Sequence, residues 1–161
     1  MNVAVYANPY IGGTNNLCVL SAGSSTIEEA AELALVAQGI PYAIVDSADI
    51  PDGGSLVNAM TIDLSGSDPV FGYDLDLAKD ISTKQNLSYW QFQSEEALAE
   101  LGLAAYQLSY ALSLDPASRT EDQQIAIDAF NEINSEQANI QSQIDAATTG
   151  EELLAILGQL G

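Results

Sequence analysis

Asp115-Pro116-Ala117-Ser118-Arg119-Thr120-Glu121-Asp122-Gln123 decides the architecture of this chain, because it stops one helical run and starts another. Proline has no backbone N–H to donate and cannot continue a helix. Thr120, followed three residues later by Gln123, forms a capping box in which each side chain satisfies a backbone donor of the next helix. On the N-terminal side Leu98, Leu101, Ala105, Leu108 and Leu112 step by three and four residues. On the C-terminal side Ala126, Phe130, Ile133, Gln137, Ile140, Ile144 and Ala147 do the same. That spacing lines each set along one helical seam. Helices joined by so short a loop are antiparallel neighbours, so a long helical hairpin is expected. Thr148 with Glu151, around Gly150, then starts a last short helix carrying Leu153, Leu154, Ile156 and Leu157.

Upstream of about Leu75 the texture changes to short β-prone runs and turn formers. Strands are expected at Asn2 to Ala7 and Leu17 to Ala22, joined by a turn-rich loop from Asn8 to Asn16. Ser25-Thr26-Ile27-Glu28 reads as a capping box and Gly39 as a left-handed stop, which places a helix over Ile27 to Gln38. Tyr42 to Val45 is a third strand, closed by Asp46 to Gly54, where proline and two glycines forbid regular structure. Ala59 to Leu64 alternates apolar and polar residues like an exposed sheet edge, followed by the turn Ser65 to Pro69. The fold class is α+β: a small N-terminal α/β unit of three to four short strands and one helix over 1–69, then the helical hairpin and terminal helix over 70–161.

At 161 residues the chain is too short for two large domains, and at 47% hydrophobic residues it carries enough apolar area to fold. Its 23 acidic residues face only Lys79, Lys84 and Arg119, a net charge of −20. Three cations cannot assemble a basic patch, so nucleic acid is not an expected partner, and an anionic membrane surface would repel the chain. A basic or polar partner surface suits the charge, as does a role in solubility alone. Cys18 is the single cysteine, which excludes an internal disulfide and a cysteine-based zinc site and points to a buried, inert thiol. The opening MNVAVYANPY has neither a basic segment nor a long apolar core, and no run of 18 apolar residues occurs, so residence in a cytoplasm is expected.

Histidine is absent, which removes the usual general base, the Ser-His and Cys-His pairs and the commonest metal ligand. Gly12-Gly13 has no following Lys-Ser or Lys-Thr, so it lacks the chemistry of a phosphate loop. Asp46, Asp49 and Asp52 are spaced by three with Pro51 inserted, unlike a calcium loop, and with Asp74 and Asp76 they read as turn-forming and helix-capping carboxylates. Asp46 and Asp49 are where a cation would sit if one bound. No catalytic, cofactor or metal role is assigned, and the chain reads as a non-enzyme.

The first long helix also carries Leu87, Tyr89, Trp90, Phe92, Leu103, Tyr106 and Tyr110, more apolar surface than one seam can cover. These residues either pack on the α/β unit or form a partner interface. The interface candidates are Trp90, Phe92, Tyr106 and Tyr110, together with Ile140 and Ile144 on the second helix. Gln137 on the second seam either fixes register through a polar mate or lies at a wet edge.

Two blocks carry a resemblance: Gly39-Ile40-Pro41-Tyr42-Ala43-Ile44-Val45-Asp46-Ser47-Ala48-Asp49-Ile50-Pro51, and Ile144-Asp145-Ala146-Ala147-Thr148-Thr149-Gly150-Glu151-Glu152-Leu153. With the order of elements, they resemble a family of small bacteriophage tail-associated proteins of the tail-fibre assembly kind, with a G-x-P-Y-x-I-V-D-x-x-D-I-P signature and an A-A-x-T-x-E-E-L ending. This chain departs from that pattern over Asp52 to Met60, which lacks the usual basic and aromatic residues, and in helical positions where Gln, Ser and Glu replace Arg and Lys. The resemblance implies architecture and context and no site. It implies a tail accessory protein that binds tail-fibre or baseplate components as structural subunit or assembly chaperone, in a homo-oligomer or hetero-complex, within the virion tail or the host cytoplasm during assembly. The alternative is an acidic inhibitor or decoy that binds a basic host partner.

Overall fold

The computed structural model describes residues 1–8, 16–23 and 25–160. The Gly12-Gly13 loop and most of the turn-rich segment around it lie outside the described residues. Mixed α+β architecture is as expected, with small antiparallel sheets followed by long helices packed as a hairpin and a short terminal helix. The chain divides into two compact units, residues 1–78 with 148–154 and residues 79–147 with 155–160.

In the first unit β1 (Asn2–Ala7) is the centre of a three-stranded antiparallel sheet, flanked by β2 (Leu17–Leu20) and β3 (Tyr42–Asp46). Val5 pairs with Val19 on one side and Ala43 on the other, while Ala4 pairs with Leu20 and Ile44. Side chains alternate across a strand, so these two sets occupy opposite faces. Val3, Ala4 and Val5 are all buried, because both faces are covered. Over Ala4 and Tyr6 lies α1 (Ile27–Ala34), which sets Ile27, Ala31 and Leu35 against the sheet at helical spacing. Under Val3 and Val5 lie Ile62 and Phe71 of a second sheet, formed by β4 (Met60–Asp63) and β5 (Val70–Tyr73).

Several local expectations shift. The capping box of α1 uses Thr26 and Glu29, one residue later than the expected Ser25 and Glu28. The helix tightens after Ala34 into a 3-10 turn over Val36–Gln38, which ends at Gly39 with φ 69° as the sequence required. β4 is an edge of its two-stranded sheet, as expected, but only its polar side is exposed. Met60 and Ile62 are buried, β5 pairs along one side and Asn16 bridges Thr61 on the other. β5 carried no expectation of its own, because four residues after a turn offer too short a pattern to read. Cys18, expected buried, is half-buried on β2.

In the second unit the long helices are α2 (Leu75–Glu100) and α4 (Glu121–Ala146), the latter started by the expected Thr120–Gln123 box. The first helix does not continue through the expected seam. It stops at Leu101-Gly102, where φ is +65°, and α3 (Ala105–Ser113) begins afresh. The stop is a Schellman motif: Gly102 N–H donates to Ala99 O at 3.0 Å and Leu103 N–H to Leu98 O at 2.8 Å. Leu98 and Leu103, which this brings together, both pack on Leu108, Ala111, Ala126 and Ile127. Leu101, Ala105 and Leu112 are therefore exposed, and only Leu98 and Leu108 of that seam turn inward. Every member of the α4 seam, by contrast, is buried or half-buried. The last helix, α5 (Gly150–Leu157), is capped by Thr149 and Glu152, one residue beyond the expected pair. Among the described residues no helix is long and apolar enough to cross a membrane.

Candidate protein-interaction surface

α3 has two chemically distinct faces. Leu108 and Ala111 enter the hydrophobic cluster shared with α4, and Tyr106 and Tyr110, one helical turn apart, lie on the opposite side. Their exposures are 73% and 59%, so both rings stand in water. Ser109 and Ser113 share that side and turn their hydroxyls back to the Ala105 and Tyr110 carbonyls. No charged residue occurs from Leu101 to Leu114. At the C-terminal end of α3 Arg119 closes the turn: Nε donates to Ala111 O at 3.1 Å, which also accepts the Leu114 N–H, and Nη2 donates to Leu114 O at 3.2 Å. The Asp115 carboxylate accepts the Ala117 N–H at 2.9 Å and shapes the same turn.

The other nominated residues fall in different places. Phe92 on α2 is 59% exposed. Trp90 is half-buried, edge-on to Tyr89 with ring centroids 5.0 Å apart, and its indole N–H is buried without a partner. Ile140 and Ile144 are buried, so neither offers surface to a partner. They are core residues on the buried seam of α4.

A residue not singled out from the sequence bridges the two long helices. Asn86 is fully buried on α2, and its amide donates to Gln137 O at 3.2 Å and to Gln141 Oε1 at 3.3 Å on α4. Gln141 in turn donates to Thr83 Oγ1 at 3.0 Å and to Asp145 Oδ1 at 2.9 Å, and Lys79 donates to Asp145 O at 2.7 Å. Gln137 takes part through its backbone carbonyl, which any residue there would supply, and the side-chain partner on α4 is Gln141.

Comparison with known protein families, curated proteins and solved structures finds none that matches this chain.

The aspartates do structural work. Asp46 is held below the usual carboxylate range first by the Ala48 N–H, 3.0 Å from its Oδ1, then by the Met1 ammonium, also at 3.0 Å. Asp52 accepts the Gly54 N–H at 2.9 Å, and Asp74 accepts the Leu77 N–H at 3.1 Å at the start of α2. Among the described residues no three of His, Cys, Asp and Glu gather where they could hold a metal ion. Asp49 is exposed on its turn.

Proposed function

We propose that this chain is a docking protein whose helical unit engages a protein partner through the solvent face of α3. The observation that carries this reading is the Tyr106–Tyr110 pair, one turn apart and exposed on the side opposite Leu108 and Ala111. Tyrosines supply large rigid contact area at low entropic cost and are frequent binding hot spots. Water-facing rings in an uncharged stretch of an otherwise acidic chain serve no packing purpose within α3. The partner we assign is a tail-fibre or baseplate component, with this chain as structural subunit or assembly chaperone. That assignment is supported by the sequence blocks Gly39–Pro51 and 144–153, which carry the resemblance to tail-associated proteins.

The test is a double replacement, Tyr106→Ser with Tyr110→Ser, in the full chain. Stability should stay within about 0.5 kcal/mol, since exposed positions tolerate change. Co-elution with the co-expressed fibre or baseplate chain on size exclusion should be lost. Undiminished co-elution of the variant, or independent elution of the parent protein, overturns the proposal.

A further inference from the structure

The three-stranded sheet of the first unit ends in an open strand. Along β1 the backbone bonds alternate in direction: Asn8 N–H donates to Asn16 O at 2.9 Å toward β2, and Met1 O accepts the Ser47 N–H at 2.8 Å toward β3. With a register that runs from Asn2–Asp46 to Tyr6–Tyr42, the residues of β3 that bond to β1 are Ala43 and Val45. The N–H and C=O of Tyr42 and Ile44 therefore point away from the sheet, and among the described residues no strand pairs with them. On the β2 side, by contrast, Asn16 bridges Thr61 of β4.

Such an edge is a template for another strand, and the usual protections are missing from β3. Its register has no bulge, Pro41 precedes the strand so that every residue within it keeps its N–H, and no charged residue occurs from Leu33 to Val45. Ile44 shares a face with Ala4 and is 37% exposed. The edge thus offers donors and acceptors at strand spacing beside an uncovered apolar side chain.

Charge selects what covers it. The first unit contains neither Lys nor Arg, and the Met1 ammonium is already paired with Asp46. Asp46 and Asp49 stand exposed where β3 ends. A second copy would set the same acidic unit against itself and be repelled. We infer that the free edge of β3 takes up an extended apolar segment of a partner chain, led by Lys or Arg and added antiparallel as the rest of the sheet is. Its backbone bonds to Tyr42 and Ile44, an apolar side chain covers Ile44, and the basic residues at its N-terminal end lie beside Asp46 and Asp49. This contact belongs to the first unit and is separate from the α3 face of the helical unit.

The test adds the full chain to a fluorescently labelled peptide, Lys-Lys-Thr-Val-Thr-Val-Thr, blocked at both ends, and follows the anisotropy of the label. The peptide should bind, more weakly as salt rises. The reversed peptide, Thr-Val-Thr-Val-Thr-Lys-Lys, has the same charge but carries it to the Pro41 end of the strand, and should bind at least about fivefold more weakly. Methylating the two Val amides, which face β3, should abolish binding, whereas methylating the last two Thr amides, which face away, should weaken it less than about threefold. In the protein, Ile44→Pro removes a donor from the free edge and none from the bonds to β1, and should weaken binding by at least about tenfold with the circular dichroism kept. Should that variant fail to fold, the methylated peptides test the same contact on the unaltered chain. Equal loss from both methylated peptides, or equal binding of the forward and reversed sequences, means attraction by charge alone and overturns the inference. So does absent binding of the parent peptide, or a self-associated state that Ile44→Pro abolishes.

Discussion

The ring of Tyr73 lies against Gly150 so closely that a Cβ on residue 150 would overlap its Cγ, Cδ2 and Cε2 atoms. Tyr73 ends β5 and Gly150 begins α5, and both belong to the first compact unit. Glycine is required there for space, since its backbone is not in the left-handed region. Gly150→Ala should therefore cost about 1–3 kcal/mol, the usual penalty for forcing a group into a filled site. Urea denaturation measures it. In a Tyr73→Ala background the same replacement should cost less than about 0.5 kcal/mol, because the clash is gone.

Burial, and after it the negative charges of Glu151 and Asp52, push the Tyr73 phenol above its ordinary value. The folded state thus favours the neutral phenol. An unfolded tyrosine ionises near about pH 10, so the contribution is complete below that value. As pH rises from there toward the folded value, the unfolded state releases its proton first and stability falls. Absorbance titration should show a tyrosine that ionises later than the exposed ones and disappears in Tyr73→Phe. Alkaline destabilisation should be shallower in that variant.

Gly102 is open to solvent, and a Cβ there would touch nothing. Its φ of +65° is nevertheless one that L side chains adopt at a cost. Gly102→Ala should lose about 1–2 kcal/mol through backbone strain alone. Thermal or urea unfolding would reveal it, and Gly23→Ala, equally open but not left-handed, should lose clearly less.

Asn86 and Gln141 share one hydrogen-bond network between α2 and α4. Asn86→Ala should cost about 1–3 kcal/mol, because it removes a fully buried donor from partners on α4. Gln141→Ala added to it should cost less than it does alone. A double-mutant cycle by chemical denaturation checks this, and strict additivity would deny the coupling.

Features written within four residues of one another were legible. The Thr120–Gln123 box, the left-handed Gly39, the capping by Asp74 and the α4 seam all stand where the residues indicated. Two capping boxes moved by one position, to Thr26–Glu29 and Thr149–Glu152, because hydroxyls at adjacent residues offer the same local chemistry in two registers. Of the nominated surface, Phe92, Tyr106 and Tyr110 are in solvent, whereas Trp90 is half-covered and Ile140 and Ile144 are core. Periodicity finds an apolar face and is silent on what covers it.

Charge, the absence of histidine, the α+β order of elements and the hairpin loop were determined by the sequence alone, since each depends on composition or on neighbours along the chain. Tertiary structure alone decided that α2 stops at Gly102, that β4 is buried against β1, and that Asn86 meets α4. The physical reason is the scale of the energies. A mid-helix glycine costs only about 1 kcal/mol, so the seam from Leu98 to Leu112 reads equally well as one helix or two. The choice falls to the packing of Leu98 and Leu103 on Leu108, Ala126 and Ile127, contacts that form only once the chain has turned back on itself.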